Sequence, residues 1–313
     1  MPWKQGYTIS DEKSLADADL RWPDGRRCCL AITVDLGLAR SGAGIGAADL
    51  TDDRARFGLA EGLPLLRGLL ARLGLRATFA VPAVIAEVLG GAALRGIAAE
   101  GHEIAAHGLC QEDVSGLARE EERARIARAT DILAGHLGAP PAGWFSLPRQ
   151  ADPFAGGTIS PHTMDLLLAA GYAYFGNGLA DDIPHYWVTD FATRRAMLTL
   201  PYYYHYDDQF FLLFPDKGTG LEHADALARN WRAEFAAQYR RGRYFHMTLH
   251  PHAIGFGHRL RMLEDVLTEI ARQPGLWNAT GTEIALHWRE TWPAETSLQL
   301  KPSIWQDHPG SLS

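Results

Sequence analysis

Short apolar runs alternate with longer segments of helical periodicity along most of the chain. The apolar runs have the length of buried strands, and the longer segments repeat leucine or alanine at three- and four-residue spacing, as amphipathic helices do. The pattern predicts strands at residues 27–34, 77–81, 103–106, 143–147, 172–175, 197–200, 244–249 and 276–279. It predicts helices at residues 59–73, 83–99, 119–137, 161–170, 224–239, 258–272 and 282–289.

Repeated alternation of strands and helices is typical of a parallel sheet, and we expect this sheet to be closed or nearly so. A chain of 313 residues has room for two domains, but an α/β barrel reaches about 250 residues as one domain. We predict a single α/β domain, a (β/α) barrel of parallel strands at residues 26–290, with an N-terminal extension at 1–25 and a tail at 291–313. Residues 176–220 are interpreted as a long excursion over one face of the barrel.

Composition and charge narrow the classes of partner. Hydrophobic residues make up 47% of the chain and charged residues 21%, so a sizeable core is available. A formal charge of −7 repels phosphate backbones and anionic lipid, which argues against nucleic-acid and membrane partners. The first residues lack the apolar stretch of a signal peptide, and three cysteines form no disulfide framework, so we predict a cytoplasmic protein. The Pro-containing tail is interpreted as an arm on a neighbouring subunit of a homo-oligomer.

Three polar side chains stand at the ends of predicted strands. Asp35 follows the first strand, His107 follows strand 103–106, and His250 follows strand 244–249. Because a parallel barrel gathers the carboxyl ends of its strands on one face, we expect these three side chains to converge there. The structural alternatives are a strand-end cap for Asp35 and, for His107, a histidine that bonds a backbone carbonyl.

Five stretches of the sequence together resemble the polysaccharide deacetylase (NodB-homology) superfamily, in its intracellular peptidoglycan-deacetylase-like and allantoinase-like branch. These stretches are Thr33-Val34-Asp35, Ala77-Thr78-Phe79, Gly101-His102-Glu103-Ile104, Asp181-Asp182-Ile183-Pro184 and Met247-Thr248-Leu249-His250-Pro251-His252. The resemblance spans roughly residues 25–290. It implies a distorted deacetylase-type (β/α) barrel and hydrolysis of carbon–nitrogen bonds other than peptide bonds.

The resemblance also implies roles for single residues, and it exposes departures from the family pattern. Asp35 takes the position of the family's general base and His250 that of its general acid. The family's metal triad falls on Gly37, His107 and Gln111, so only His107 survives as a zinc ligand. We therefore expect no cofactor. If a divalent metal such as zinc is retained, Asp35 and His107 would hold it, with Cys110 or His205 as a replacement ligand.

Further residues are predicted to contact substrate. The family carries an arginine after a Gly-Trp or Gly-Phe pair, but here Phe145 follows Trp144, so the arginine is either lost or supplied by Arg149. The excursion either covers the mouth of the barrel or forms a subunit interface. The predicted substrate-binding residues are Gln111, Trp144, Arg149, Asp182, His205 and Asp208.

Two other motifs have both a functional and a plain interpretation. Residues 42–46 are glycine-rich and follow a strand, but the next helix begins too late for a dinucleotide-binding turn, so a loop is favoured. Cys110 would be a nucleophile if His107 lowered its pKa, whereas a buried cysteine needs no such role.

The leading hypothesis from the sequence is a hydrolase of a small amide or cyclic amide. Without an export signal, we expect a small-molecule substrate and not an extracellular polymer. Asp35 would act as base, His250 as acid, and His107 with Gln111 would hold the water or the carbonyl oxygen. The alternative is a non-catalytic small-molecule-binding protein that lost its metal site and its activity.

Overall fold

A computed structural model describes residues 15–146, 158–178, 181–190, 193–203, 206–213 and 223–298. The strands are β1 (Cys28–Asp35), β2 (Thr78–Val81), β3 (Glu103–Ala106), β4 (Gly143–Trp144), β5 (Tyr174–Gly178), β6 (His185–Asp190), β7 (Arg195–Pro201), β8 (Tyr244–Leu249) and β9 (Leu276–Ala279). The helices are α1 (Ala47–Thr51), α2 (Asp53–Phe57), α3 (Leu63–Leu73), α4 (Ala83–Ala99), α5 (Arg119–Leu137), α6 (Thr163–Ala169), α7 (Asp208–Leu213), α8 (Ala224–Arg241), α9 (Pro251–Ile254), α10 (Gly257–Ala271), α11 (Gly281–Thr291) and α12 (Ala294–Ser297). A π turn, Gly58–Gly62, joins α2 to α3.

The strands form one sheet in the order β6-β7-β5-β4-β3-β2-β1-β8, with β9 also paired to β1. β1 pairs with three strands, because β8 runs along one of its edges while β9 and β2 share the other. Every pair is parallel except β6 with β7, which is antiparallel. The predicted parallel sheet is thus confirmed apart from this pair, since the short connection between β6 and β7 allows a hairpin and not a crossover.

Alternating residues of each strand point to opposite faces of the sheet. On β1, Leu30, Ile32 and Val34 join the large apolar core beneath the helices. Ala31, on the other face, joins a second buried cluster with side chains from β2, β3, β5, β6, β7 and β8, including Tyr244. Because one cluster collects side chains from so many strands, the sheet curls around an interior, as a distorted barrel does.

The first and last of the described segments pack on the barrel. The indole nitrogen of Trp22 donates to the carbonyl of Gly242, and its ring lies 5.8 Å from that of Trp277. Tyr186 on β6 donates through its hydroxyl to the carbonyl of Trp292, and Leu298 is buried. Residues 292–298 therefore pack on their own chain, whereas the rest of the tail that was expected to form a subunit arm lies outside the described residues.

The excursion contains more regular structure than the sequence predicted. Residues 176–220 include β6 and α7 besides the predicted strand, which the structure extends to Arg195–Pro201. In the part of the chain that the structure describes, no helix has the length and apolar character of a membrane span.

Candidate active site

Strand register and alternation place the candidate residues. Val34 of β1 pairs with Leu249 of β8, so the next residues, Asp35 and His250, are neighbours at the carboxyl ends of the two strands. Since Val34 points outward to the helices, Asp35 points into the barrel. His107 follows β3 and is fixed by a bond from its backbone nitrogen to the carbonyl of Val81 at the end of β2.

The structure brings the three predicted catalytic side chains together. Nε2 of His107 lies 3.1 Å from Oδ2 of Asp35, and Nε2 of His250 lies 3.5 Å from the same oxygen. The exposed fractions are 6% for Asp35 and 1% for each histidine, so water screens these charges weakly. The other carboxylate oxygen, Oδ1, accepts from the backbone nitrogen of Gly37 at 2.6 Å, which fixes the carboxylate plane.

Two adjacent carboxylates, of Asp207 and Asp208, lie near Nδ1 of His250. Asp208 accepts from the backbone nitrogen of His250 at 2.9 Å and lies 2.7 Å from its Nδ1. Asp207 lies 3.5 Å from the same nitrogen and accepts from the Tyr202 hydroxyl at 2.7 Å. Asp208, predicted to contact substrate, therefore positions the histidine. Asp207 was not among the predicted site residues, and only the paired acids in the excursion could have indicated it.

Burial and neighbouring charges set the ionisation of this cluster. Burial alone would raise the pKa of Asp35, but the imidazoles of His107 and His250 hold that pKa well below its ordinary value. Burial alone would lower the pKa of His250, but the carboxylates of Asp207, Asp35 and Asp208 raise it well above its ordinary value. Burial also raises the pKa of Asp207, to about 6. At neutral pH the geometry thus favours an Asp35 carboxylate beside a His250 imidazolium.

The side chain of Gln111 contacts both His107 and the loop after β1. Its Oε1 accepts from the backbone nitrogen of Ala39 at 2.9 Å, which leaves Nε2 facing His107 Nε2 at 3.0 Å. Nε2 of His107 cannot both accept from the amide and donate to Asp35, because it carries at most one hydrogen. If it donates to Asp35, the Gln111 amide is left to donate to another acceptor inside the site.

These residues do not fit the metal triad of the family. A Cβ atom at Gly37 would overlap the Gln111 amide, so Gln111 fills the space that a carboxylate at position 37 would need. Asp207, Asp208 and His250 also have metal-capable atoms within 4.8 Å of one another. However, Nδ1 of His250 lies within hydrogen-bond distance of Asp208, so this nitrogen already has a partner other than a metal ion.

We predict that the purified protein contains well under one equivalent of tightly bound zinc. Two of the three family ligands are absent, and even changes outside the ligand shell cost about 10–100-fold in metal affinity. Elemental analysis after dialysis without chelator tests this expectation. Stoichiometric zinc would contradict it, and its loss in Asp208→Asn but not in His107→Ala would assign the metal to the carboxylates beside His250.

Trp144, the last residue of β4, and Phe145, which follows it, point in directions that the sequence did not predict. Trp144, predicted to bind substrate, points outward into the main core, where its ring meets Tyr172 at 5.1 Å. Phe145 points inward, 6.4 Å from the His107 ring, and Gly176 leaves room for it. The predicted role of Trp144 is therefore wrong, because the pleat of the strand turns adjacent residues to opposite faces.

Asp182, another predicted substrate-binding residue, is not brought to this cluster. Asp182 forms ion pairs with Arg243 and Arg241, which precede β8, and so lies at the opposite end of that strand from His250. Gln238, near the end of α8, also donates to the Asp182 carboxylate. Arg149 and His205 lie outside the described residues.

The structure also bears on the two motifs with alternative interpretations. Burial and the Glu112 carboxylate raise the pKa of Cys110 to about 12, which removes the case for a thiolate nucleophile. The glycine-rich segment packs on the segment that carries Gln111. Ile45 donates to the carbonyl of Cys110, and Asp113 donates to that of Gly42. The glycine-rich segment is therefore a packed loop, as the sequence favoured.

Comparison with known proteins agrees with this fold. The family model described as "Polysaccharide deacetylase" matches residues 50–174, so this part of the chain is similar to a polysaccharide deacetylase domain. A peptidoglycan deacetylase of Helicobacter pylori is 24% identical over 268 residues, which are 77% of this chain and 88% of the relative.

Solved structures resemble this chain along nearly its whole length. A proposed polysaccharide deacetylase from Mycobacterium smegmatis has a TM-score of 0.75 at 27% identity, and the match covers 95% of this chain and 99% of that one. An allantoinase, PuuE, also has a TM-score of 0.75, at 20% identity, over 90% of this chain and 95% of that one. The chain is thus a single-domain α/β protein with the deacetylase-type (β/α) barrel fold, and the family is one of hydrolases.

Proposed function

We propose that this protein hydrolyses a carbon–nitrogen bond, other than a peptide bond, in a small amide or cyclic amide. The observation that carries the proposal is the buried contact of Asp35 with His107 and His250 at the carboxyl ends of β1, β3 and β8. The names of its relatives, a peptidoglycan deacetylase and an allantoinase, support amide chemistry in a linear or a cyclic substrate.

Asp35 is the proposed base. Hydrolysis of an amide requires a group that takes a proton from the attacking water. The low pKa of Asp35 keeps the carboxylate ionised, although it also makes the carboxylate a weak base while both imidazoles face it. When His250 gives up its proton, that positive charge disappears and the carboxylate becomes more basic. Proton acceptance and proton donation are therefore coupled.

His250 is the proposed acid. Asp208 binds its Nδ1, so Nε2 is the nitrogen that faces the interior of the site and Asp35. The surrounding carboxylates keep the imidazole protonated at neutral pH, and its Nε2 proton can pass to the leaving nitrogen. Asp208 is a positioning residue in this scheme, because it fixes the ring and does not face the reacting atoms.

Gln111 and His107 are proposed to hold the carbonyl oxygen and the water. With its Oε1 engaged by Ala39, the Gln111 amide directs its N–H groups into the site. Such a fixed donor stabilises the negative charge that develops on the carbonyl oxygen during attack. The residues of this chain supply the scheme without a step that needs the family's metal.

A matched substrate panel tests the proposal. The panel contains hydantoins, cyclic imides, N-acetyl amino acids and acetylated amino sugars, and product formation is followed by mass spectrometry. We expect turnover of at least one amide that disappears in Asp35→Asn. If no member is hydrolysed, or if turnover persists in that variant, the proposed reaction is overturned.

A second candidate is a non-catalytic small-molecule-binding protein. Three departures favour it: Gly37 and Gln111 at metal positions, and Phe145 at the position of the family's arginine. Binding of panel members without turnover would select this candidate. Cytoplasmic location and homo-oligomerisation remain predictions, and subcellular fractionation and light scattering test them.

A further inference from the structure

A half-buried arginine lies beside the active site without a carboxylate partner among the described residues. Arg54, on α2, makes one side-chain hydrogen bond, from Nη2 to the carbonyl of Leu38 at 3.1 Å. The neighbouring arginines, by contrast, lie within ion-pair distance of carboxylates. Arg40 pairs with Asp52 and Asp49, and Arg56 lies 3.8 Å from Asp53. Asp52 and Asp49 attract the Arg54 guanidinium electrostatically, but their side chains form ion pairs with Arg40 and not with Arg54.

The position of Arg54 follows from the helical face that it shares. Gly58, one turn further along, packs so closely on α9 that a Cβ atom there would lie 2.8 Å from Cβ of His252. Residues four apart lie on the same face of a helix, so Arg54 also faces α9. The ring of His252 in turn lies 5.5 Å from that of His250.

The second contact of Arg54 is with the loop that borders the site. Leu38, its hydrogen-bond partner, lies between Gly37, beside the Gln111 amide, and Ala39, which donates to that amide. Arg54 thus bonds the loop after β1 and lies near the segment after β8, the two segments that follow Asp35 and His250. The lowered pKa of His252, caused by burial and then by the charges of His250 and Arg54, agrees with this proximity.

A guanidinium in this setting needs an anion. Five N–H donors in a planar fork match a carboxylate with two parallel hydrogen bonds, and here one carbonyl satisfies only part of that capacity. Partial burial removes water from the remaining donors, which is costly when no acceptor replaces it. A bound carboxylate would provide the acceptors and offset the charge.

We propose that Arg54 binds a carboxylate of the substrate, so that the preferred substrates are amides that carry a carboxylate beside the scissile bond. The substrate statement rests on the proposed hydrolase function, whereas the binding statement does not. N-acyl amino acids and cyclic amides with a carboxymethyl group belong to this class, and their amide analogues do not.

Matched pairs of ligands test the inference. N-acetylglycine is compared with N-acetylglycinamide, and hydantoin-5-acetic acid with hydantoin-5-acetamide, by calorimetric or NMR titration of the full chain. We expect the carboxylate member of a pair to bind roughly 10–100-fold tighter than its neutral analogue, as charge-assisted hydrogen bonds allow. Arg54→Gln should abolish this preference, and Arg54→Lys should retain part of it.

Arg56→Gln is the matched control, since Arg56 lies on the same helix with its side chain 70% exposed. It should keep the full preference, and thermal melting checks the fold of each variant. Equal binding of both members by the parent, no binding of any carboxylate, or a preference that survives in Arg54→Gln would overturn the inference. A carboxylate preference without turnover would leave the subsite standing and count against the hydrolase function alone.

Discussion

Replacing Asp35 by asparagine, or His250 by alanine, lowers kcat on the substrate by at least ~10²–10⁴-fold, the range for a general base or acid. Asparagine keeps the shape of the side chain, including the acceptor for the Gly37 amide, but cannot take a proton from water. Alanine at 250 removes the only proposed donor to the leaving nitrogen. Steady-state kinetics with the substrate from the panel measures both effects.

The controls for this prediction separate chemistry from folding. Asp53→Asn and His258→Ala change exposed residues of the same types on α2 and α10, and they should leave kcat within about twofold, as surface substitutions rarely disturb the fold. Removal of the buried imidazolium leaves carboxylates without their counter-charge, so His250→Gln is tested beside His250→Ala. A folded Asp35→Asn or His250→Gln variant that keeps more than a tenth of kcat would contradict the assigned roles.

The double variant Gly37→Asp with Gln111→His is expected to bind zinc more than ~100-fold tighter than the parent, since it restores two ligands of a three-ligand site. Gly37→Asp alone should gain little, because the Gln111 amide occupies the space of the new side chain. Gln111→His alone lacks the carboxylate. Position 111 has a φ of 59°, a left-handed conformation that histidine tolerates better than most residues do.

Zinc titration monitored by calorimetry or by competition with a chromophoric chelator measures these affinities. The control is Gly37→Asp with Gln111→Ala, which frees the same space but supplies no imidazole. If the double variant binds zinc no better than this control, the assignment of Gly37 and Gln111 to the family's metal positions is wrong.

The local sequence pattern was sufficient to predict a segment where its structure is a single helix or strand. The helix Arg119–Leu137 and the strand Glu103–Ala106 have the bounds that the sequence predicts, and Ala83–Ala99 also has them, although its helix is broken at Gly90, which has a φ of 76°. Each has Gly, Pro or a charged residue at its ends, so the sequence neighbours determine where it begins and ends. Asp35, His107 and His250 were predicted for the same reason, since Asp35 ends such a strand and the two histidines directly follow one.

The local sequence pattern failed to predict the structure where contacts with residues far along the chain determine it. β6 and α7 lie in the excursion, where aromatic and acidic residues show no clear period, and α7 begins at Asp208, which is bonded to His250 from a segment 42 residues away. Trp144 ends a two-residue strand and Phe145 directly follows it, and nothing in the local sequence tells which of the two aromatic rings faces inward. Arg54 carries no motif, and its importance emerges only from the partners that it lacks in the described part of the chain.

The pairing of β1 with strands from the far end of the barrel has a consequence for how the protein folds. β1 is synthesised well before its partners β8 and β9, which follow it by more than 200 residues. Loops of that length close slowly, and until they close, one edge of an entirely buried strand stays open to other chains. The edge that β8 finally covers is also the edge that joins Asp35 to His250. Assembly of the candidate site and protection from aggregation are thus acquired in the same late step of folding.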